Sequence, residues 1–360
     1  MQVKENHSLK NYNTFGVDVK TKYFAEIKNL KELKKILKQY PNEKILILGS
    51  GSNTLLVDDW NGITLKIEIL GIEKVKEDEK EVYIKAYAGE NWDHFVRYTV
   101  KNNWAGIENM VMVPGTVGGA VRENIACYGH NISTSIQVVE VVNLKTLEIE
   151  ELPKRECGYT YRNSKFKNQW KEKYLIISAT FKLQKNTKEF ELSYHERGGR
   201  YGSLTGELES FAKEPYSIHD VMEAVIRQRT KRLPTVEEFG TCGSFFKNPQ
   251  VKFKKFKELS QKIDDLQFYP LEDLKYNMAD IGEIADNDYV KIPAGRLLDE
   301  LGWKGRWEGN VGVSEKHALC VVTNKKATGK EIYKFIKRMQ KDIERKYGIK
   351  LEPEVNIIKN

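Results

Sequence analysis

The sequence is poor in cysteine and lacks any closely spaced cysteine pair. Only four cysteines occur among 360 residues. They are Cys127, Cys157, Cys242 and Cys320. Without a CxxC pair a zinc knuckle is excluded, and the wide spacing does not match the disulfide framework of a small secreted protein. The pattern fits a reducing compartment, so we expect a cytoplasmic protein that binds no metal.

Long apolar runs are also missing. A membrane-spanning helix needs about 20 consecutive apolar residues, whereas the longest apolar stretches, Tyr174–Phe181 and Ala318–Val322, have the length of β-strands. The N-terminal segment contains no apolar core of a secretory signal. We therefore expect a protein without a membrane partner.

Charge of one sign is not concentrated enough to indicate a nucleic-acid partner. Lys and Arg number 59 against 51 Asp and Glu, which gives a net charge of +8. The densest basic region, 325–350, carries apolar residues at helical spacing, so its lysines form the solvated face of an amphipathic helix. No RNP, zinc-finger or helix-turn-helix signature occurs, and we expect no nucleic-acid binding. With 40% hydrophobic residues the chain can form buried cores, and its length predicts two or three domains.

Strand and helix patterns alternate in the first part of the chain. The spacing of apolar residues predicts a helix over 30–37 and a buried strand over Lys44–Leu48. Further strands are predicted over Leu55–Val57 and Ile63–Ile67, with Asn61-Gly62 as a turn between them.

Later segments give equally clear local signals. A helix is predicted over Trp92–Lys101, and another over Ser217–Arg229 with Ser217 and Asp220 as its N-terminal cap. An amphipathic helix in the basic region and a final strand over Leu351–Ile358 complete the chain.

Two glycine-rich loops stand beside predicted strands. The first, Gly49-Ser-Gly-Ser-Asn53, partly matches the dinucleotide fingerprint, but Thr54 occupies its third glycine position. The residues that follow favour a strand, whereas a Rossmann fingerprint needs the N-terminus of a helix. The second loop is Pro114-Gly-Thr-Val-Gly-Gly119. Because backbone N–H groups of such loops converge on phosphate oxygens, two of them favour a diphosphate ligand.

The loops belong to a series of short motifs along most of the chain. In order these are Asn13-Thr-Phe-Gly16, Leu48-Gly-Ser-Gly-Ser-Asn53, Ala88-Gly-Glu-Asn-Trp92, Pro114-Gly-Thr-Val-Gly-Gly119, Tyr161-Arg-Asn-Ser164, Gly243-Ser-Phe-Phe-Lys-Asn-Pro249, Ala294-Gly-Arg-Leu-Leu-Asp299 and Leu351-Glu-Pro-Glu-Val355. Their order and separation resemble the UDP-N-acetylenolpyruvoylglucosamine reductase family, in its branch with a substrate-capping tyrosine loop.

The resemblance implies an α+β protein with FAD as cofactor and NADPH as reductant. Its first two subdomains would form a FAD-binding fold of the vanillyl-alcohol-oxidase type, at 1–70 and 71–213. An α/β substrate-binding domain would follow at 214–330, and a helix and strand at 331–360 would return to the active site. The implied flavin contacts are Gly49, Ser50, Gly51, Ser52, Asn53, Pro114, Gly115, Thr116, Gly118 and Gly119.

The same resemblance implies the chemistry and its residues. The substrate would be the enolpyruvyl ether of UDP-N-acetylenolpyruvoylglucosamine, reduced to UDP-N-acetylmuramate for peptidoglycan synthesis. Arg162 and Glu354 would stabilise an enolate, and Ser244 would deliver the proton. Glu352 is an alternative to Glu354 in the same motif. Cys242 has no partner histidine in the sequence, so we interpret it as structural.

Substrate contacts are implied at seven positions. These are Tyr161, Tyr194 on the capping loop, Arg229, Lys231, Arg232, Asn248 and His317. The family places a lysine facing the diphosphate where this chain has Lys231-Arg232, so either residue could make that contact.

One segment departs from the family pattern. In Arg122-Glu-Asn-Ile-Ala-Cys-Tyr-Gly129, Ala126 replaces a glycine, and Arg122-Glu123 adds charge where the family is more neutral. Flavin contacts from 120–128 are therefore not predicted. The alternatives to the reductase are an oxidase of another alcohol or sugar on the same FAD scaffold, and a silent nucleotide-binding protein. We expect the UDP-sugar and NADPH as binding partners of a monomer.

Overall fold

The computed structural model describes residues 2–192, 203–271 and 284–360. Helices are combined with largely antiparallel sheets, as expected for an α+β protein. The strands before the first gap are β1 (Lys4–Ser8), β2 (Lys20–Ile27), β3 (Ile45–Leu48), β4 (Thr54–Leu56), β5 (Trp60–Ile67), β6 (Ile72–Glu77), β7 (Glu81–Tyr87), β8 (Trp104–Ala105), β9 (Ala126–Cys127), β10 (His130–Asn131), β11 (Ile136–Asn143), β12 (Ile149–Pro153) and β13 (Tyr174–Lys185). Those after it are β14 (Gly240–Ser244), β15 (Gln250–Lys252), β16 (Tyr289–Lys291), β17 (Trp307–Glu308), β18 (Val311–Val313), β19 (Cys320–Thr323) and β20 (Asn356–Ile358).

Helices cover the sheets and connect them. The α-helices are α1 (Leu30–Gln39), α2 (Trp92–Lys101), α3 (Val117–Glu123), α4 (Ile132–Ser135), α5 (Leu204–Glu209), α6 (Ile218–Arg232), α7 (Phe253–Ser260), α8 (Ala294–Glu300) and α9 (Gly329–Tyr347). Helix α2 has the predicted bounds. Helix α6 begins after the predicted cap, since the Ser217 hydroxyl accepts from the Asp220 N–H and the Asp220 carboxylate accepts in return.

The first sheet has the strand order β1-β2-β5-β3, with β1 antiparallel and the other pairs parallel. The predicted turn at Asn61-Gly62 is wrong, because both residues lie inside β5. Gly62 is needed here for close approach: a Cβ atom on it would lie 2.2 Å from the carbonyl oxygen of Lys44. The glycine therefore lets β3 and β5 pair, rather than reversing the chain.

A larger antiparallel sheet follows, in the order β12-β11-β13-β7-β6 with β8 paired to β13. Helix α2 packs its apolar face, including Trp92 and Phe95, against Phe181 of β13. The buried side chains of both sheets and of α1, α2 and α3 form one hydrophobic core.

The C-terminal part contains an antiparallel sheet in the order β14-β19-β18-β17. Helix α9 packs here through apolar residues at helical spacing, and its Thr328–Glu331 capping box and left-handed Gly348 fix its two ends. These elements share a second hydrophobic core with the N-terminal segment around Phe15 and with β4.

The chain end returns to the first part of the molecule. The predicted final strand is shorter than expected, because only Asn356–Ile358 forms β20, which pairs in parallel with β4. Residues just before it bond instead to the loop after β14, where the Glu354 N–H donates to the Phe245 carbonyl at 2.8 Å. This return brings the 351–358 segment beside the first glycine loop.

Candidate functional site

A cavity of about 1270 Å³ is lined by residues from 45–176 and by residues from 229–359. It exceeds the roughly 300–1,000 Å³ of an ordinary small-molecule pocket, so it has room for an extended ligand. Its wall includes all ten glycine-loop residues named above, from Gly49 to Asn53 and from Pro114 to Gly119. The wall also includes Tyr161, Arg162, Arg229, Arg232, Ser244, Asn248, His317 and Glu354.

The first glycine loop joins β3 to β4 and therefore leads into a strand, as its sequence predicts. Gly51 has a φ of +67°, and a Cβ atom on it would lie 2.1 Å from the carbonyl oxygen of Tyr12. Only glycine fits there. Among the residues that the structure describes, the backbone N–H groups of 50–53 have no hydrogen-bond acceptor. A row of such donors on a cavity wall is suited to phosphate oxygens.

The second loop is in direct contact with the first. The Ser52 hydroxyl donates to the Pro114 carbonyl at 2.9 Å. A Cβ atom on Gly49 would lie 2.7 Å from the Thr116 hydroxyl, and one on Gly118 would lie 2.8 Å from the Ala88 methyl. Thr116 caps α3, so the second loop ends as the first turn of a helix. Glycine at positions 49 and 118 therefore lets the second loop pack closely against the first loop and against Ala88.

Arg162 and Glu354 form an ion pair on the cavity wall. Arg162 Nε lies 3.0 Å from Glu354 Oε1, with 20% and 25% of the side chains exposed. Arg162 Nη2 also donates to the Ala126 carbonyl at 2.9 Å. The alternative acid, Glu352, is 75% exposed, lies 3.3 Å from Lys247 and is not part of the wall. Glu354 is therefore the glutamate of this motif that can meet a ligand.

Ser244 ends β14 on the same wall. The preceding Gly243 has a φ of +68°, and no heavy atom of the described residues, apart from Gly243 and its two chain neighbours, lies within 4 Å of the position that its Cβ would take. Ser244 itself is half-buried. The next residue, Phe245, accepts from the Glu354 N–H at 2.8 Å, so the backbone segments that carry Ser244 and Glu354 are adjacent.

Cys242 precedes these residues and is buried. Burial raises the pKa of its thiol to about 12, and its Sγ lies 3.5 Å from the Thr14 hydroxyl. A thiol in this environment stays protonated at neutral pH and is a poor nucleophile. This agrees with the structural interpretation of Cys242.

Two predicted substrate contacts are connected to each other. The Tyr161 hydroxyl accepts from the Asn248 N–H at 3.3 Å, and Asn248 Oδ1 accepts from the Ala294 N–H at 3.1 Å. Asn248 thereby satisfies a donor at the start of α8. Lys291, which was not predicted as a site residue, also lines the cavity, and its ammonium lies 4.3 Å from the Tyr161 ring centre. Lysine between the apolar Val290 and Ile292 is a signal of burial that could have revealed it.

The end of α6 separates the basic residues predicted there. Arg229 and Arg232 line the cavity. Arg229 donates to Cys127 Sγ and to the Met112 carbonyl, both at 3.1 Å. Lys231 is placed outside the cavity wall: its side chain is 64% exposed, and its ammonium lies 2.7 Å from Glu207. Because successive helical residues point about 100° apart, Arg232 is the member of this pair that can meet a diphosphate.

His317 lies on the wall as expected. Burial, followed by the positive charges of Arg232 and Lys304, lowers the pKa of His317 to about 4, although Asp299 opposes the shift. Its Nδ1 accepts from the Leu319 N–H at 3.1 Å. The neutral ring therefore carries its proton on Nε2 and can donate from that atom. Tyr194, the predicted capping residue, lies outside the described residues.

Two family models match the chain. The C-terminal domain of UDP-N-acetylenolpyruvoylglucosamine reductase matches residues 234–358, and an FAD binding domain matches residues 21–150. A protein named UDP-N-acetylenolpyruvoylglucosamine reductase from Flavobacterium johnsoniae is 38% identical over 358 residues, or 99% of this chain and 100% of the relative. The chain belongs to the UDP-N-acetylenolpyruvoylglucosamine reductase family. The expected FAD cofactor and FAD-binding fold are thereby confirmed.

A second relative and a solved structure support the same family. A protein of the same name from Amoebophilus asiaticus is 34% identical, over 99% of this chain and 100% of the relative. The crystal structure of the family member from Thermus caldophilus superposes with a TM-score of 0.64 and 20% identity, over 99% of this chain and 98% of that one. At that identity the superposition supports the shared fold.

The helices and the acidic, histidine and cysteine side chains bear on membrane and metal binding. Within residues 2–192, 203–271 and 284–360, none of the helices combines the length and the apolar character needed to span a bilayer. Over the same ranges, no group of three or more His, Cys, Asp or Glu side chains could hold a metal ion.

Proposed function

We propose that the protein reduces the enolpyruvyl ether of UDP-N-acetylenolpyruvoylglucosamine to UDP-N-acetylmuramate, a peptidoglycan precursor, with NADPH as the reductant. The observation that carries this proposal is the Arg162–Glu354 ion pair, with Ser244 beside it, on the cavity wall that both glycine loops form. An oxidase on the same scaffold would need the loops but not these three side chains together.

The cavity would hold FAD through the loops at 49–53 and 114–119. The backbone N–H groups of 50–53 would bind the diphosphate, and the second loop would form the adjoining part of the wall. When bound and reduced, FAD supplies a hydride for the terminal carbon of the enolpyruvyl group. The chain itself must then stabilise negative charge on the substrate and deliver a proton.

Arg162 is proposed to bind the substrate's carboxylate. A guanidinium presents a fixed pair of N–H donors and stays charged at any working pH. As hydride adds, charge spreads from the neighbouring carbon into this carboxylate, so the attraction to Arg162 grows in the transition state. Glu354 is proposed to fix the orientation of the guanidinium by accepting from Nε.

Ser244 is proposed to give its hydroxyl proton to the enolate carbon. A serine hydroxyl is a weak acid, but an enolate is a strong base, so the transfer depends mainly on position. Arg229, Arg232, Tyr161, Asn248, His317 and Tyr194 are proposed to bind the UDP-sugar. We also propose a cytoplasmic monomer, with subdomain boundaries near residues 70, 213 and 330.

An anaerobic titration tests the proposal. Purified holoenzyme is reduced with NADPH until the flavin absorbance is bleached, and UDP-N-acetylenolpyruvoylglucosamine is then added without oxygen. We expect the oxidised flavin spectrum to return in proportion to the substrate added. Failure of this reoxidation would refute the reductase assignment, and reoxidation by oxygen alone would favour an oxidase.

A further inference from the structure

Arg162 is held in an unusual backbone conformation. It has a φ of +50°, in the left-handed region that non-glycine residues seldom adopt. It lies in a tight turn in which Thr160 and Asn163 exchange two backbone hydrogen bonds, of 3.1 and 2.9 Å. Such a conformation persists only where surrounding contacts hold it. The contacts that hold this turn therefore also determine where the guanidinium points.

Lys167 supplies one of these contacts. Its ammonium donates to the Arg162 carbonyl at 3.2 Å and to Glu123 Oε2 at 2.6 Å. The Lys167 and Glu123 side chains are each only 12% exposed. A long lysine side chain has many rotamers, and the buried carboxylate fixes its end beneath the turn.

Glu123 also contacts the segment that carries Glu354. Asn53 Nδ2 donates to Glu123 Oε2 at 3.1 Å and to the Glu354 carbonyl at 3.4 Å. Asn356 Nδ2 donates to Glu123 Oε1 at 3.0 Å and to the Asn53 carbonyl at 3.1 Å. One carboxylate is thus linked through Lys167 to the Arg162 carbonyl and through Asn53 to the Glu354 carbonyl, while Asn356 bonds to both the carboxylate and Asn53.

The charge of Glu123 is compensated locally. Burial by itself would raise the pKa of Glu123, but the adjacent Arg122 and Lys167 outweigh it and lower that pKa. The carboxylate is therefore ionised at neutral pH. The two charged residues that depart from the family pattern, Arg122 and Glu123, form an ion pair with each other on the cavity wall.

We propose that Glu123 is a positioning residue that holds Arg162 and Glu354 in the geometry that recognises the substrate's carboxylate. This inference rests on the proposed function and adds to it a buried ion pair, Glu123–Lys167, that determines selectivity for a carboxylate-bearing ligand. Glu123 acts through Lys167, Asn53 and Asn356.

Two nucleotide sugars make the test independent of turnover. UDP-N-acetylmuramate carries the carboxylate on a lactyl ether at the sugar's 3-oxygen, whereas UDP-N-acetylglucosamine has a free hydroxyl there and shares the rest of the ligand. Isothermal titration calorimetry would give the Kd of each for the oxidised, FAD-loaded protein. For Glu123→Gln, which keeps the shape but removes the charge, we expect the Kd of UDP-N-acetylmuramate to rise about tenfold or more. The Kd of UDP-N-acetylglucosamine should change by less than about twofold.

Variants of the partner residue complete the test. Lys167→Met should give the same selective rise in the Kd of UDP-N-acetylmuramate. The double variant should show no larger rise than the worse single variant, because both changes break the same ion pair. Lys167→Arg keeps the charge and should restore most of the selectivity. The matched control is Glu140→Gln, which removes a carboxylate of similar burial that pairs with Lys85 in the large sheet, away from the cavity wall.

The outcomes separate this inference from the proposed function. An unchanged Kd ratio in Glu123→Gln, an equal loss for both ligands, or the same selective loss in Glu140→Gln would each overturn the role of Glu123. A wild-type protein that binds neither ligand would overturn the proposed function, and the inference with it.

Discussion

Arg162 Nε lies 3.0 Å from Glu354 Oε1. Arg162 follows the glycine loop at 114–119, whereas Glu354 lies close to the chain end. The pair therefore exists only when the C-terminal segment is docked against the flavin-binding part. Since each side chain is less than about one-third exposed, the attraction between them is screened less than that of a surface pair.

Replacing Arg162 by lysine should damage the enzyme despite the retained charge. A lysine ammonium cannot reproduce the planar donors that meet both Glu354 and the Ala126 carbonyl. We expect kcat/KM for the UDP-sugar to fall about 100-fold or more, which corresponds to one or two charge-assisted hydrogen bonds. Stopped-flow reoxidation of the reduced flavin measures this, and near-normal turnover of Arg162→Lys would remove Arg162 from the mechanism.

Ser244→Ala should slow one half-reaction and leave the other nearly unchanged. Reduction of the flavin by NADPH should stay within about twofold of wild type, while reoxidation by the UDP-sugar should slow by about 100-fold or more, as expected for loss of a general acid. Rapid-mixing absorbance follows both steps. Ser314→Ala is a suitable control, because Ser314 is a buried serine that is not on the cavity wall. Equal slowing of both steps would contradict the proposed role.

The neighbours Lys231 and Arg232 should differ strongly. Lys231→Met should leave the KM for the UDP-sugar within about twofold, because its ammonium pairs with Glu207 outside the cavity. Arg232→Met should raise that KM about tenfold or more, through loss of a charge-assisted contact to the diphosphate. Steady-state kinetics on the two variants decide between them. A larger effect at Lys231 would show that the contact is assigned to the wrong residue.

His317 should make the protein less stable as the pH falls. Its pKa is about 4 when folded, against an ordinary 6.5, so between these values the unfolded chain binds more protons than the folded one. This loss develops as the pH falls from about 6.5 to 4 and amounts to at most about 3 kcal/mol. Urea unfolding of wild type and His317→Gln across that range should show a shallower fall for the variant. Parallel curves would contradict the assignment.

Thiol labelling should distinguish Cys127 from the other cysteines. Burial raises the pKa of Cys157 to about 11 and the pKa of Cys242 and Cys320 to about 12, so these three should stay protonated and unreactive. Cys127 is half-buried on the cavity wall. We expect Ellman's reagent to react with at most one thiol in the native protein and with all four after unfolding. Fast labelling of two or more native thiols would contradict this burial pattern.

Periodicity and caps explain which local elements were predictable. Helices α2, α6 and α9 repeat apolar residues at helical spacing and carry polar caps, and the structure confirms all three. The strand after the first glycine loop was also predictable, because a short apolar run follows the loop directly. Gly62 was misread because a glycine in a turn and a glycine that permits close strand pairing have the same sequence signal.

The sequence by itself determined the family motifs, the two loops that only glycine can build, and the residue types needed to bind a carboxylate and deliver a proton. Only the tertiary structure decided that Arg162 meets Glu354 rather than Glu352, that Arg232 rather than Lys231 faces the cavity, and that Glu123 pairs with Lys167. Local patterns depend on neighbours along the chain. These pairings depend instead on how β20 and α6 dock against distant loops, and hence on packing across the whole molecule.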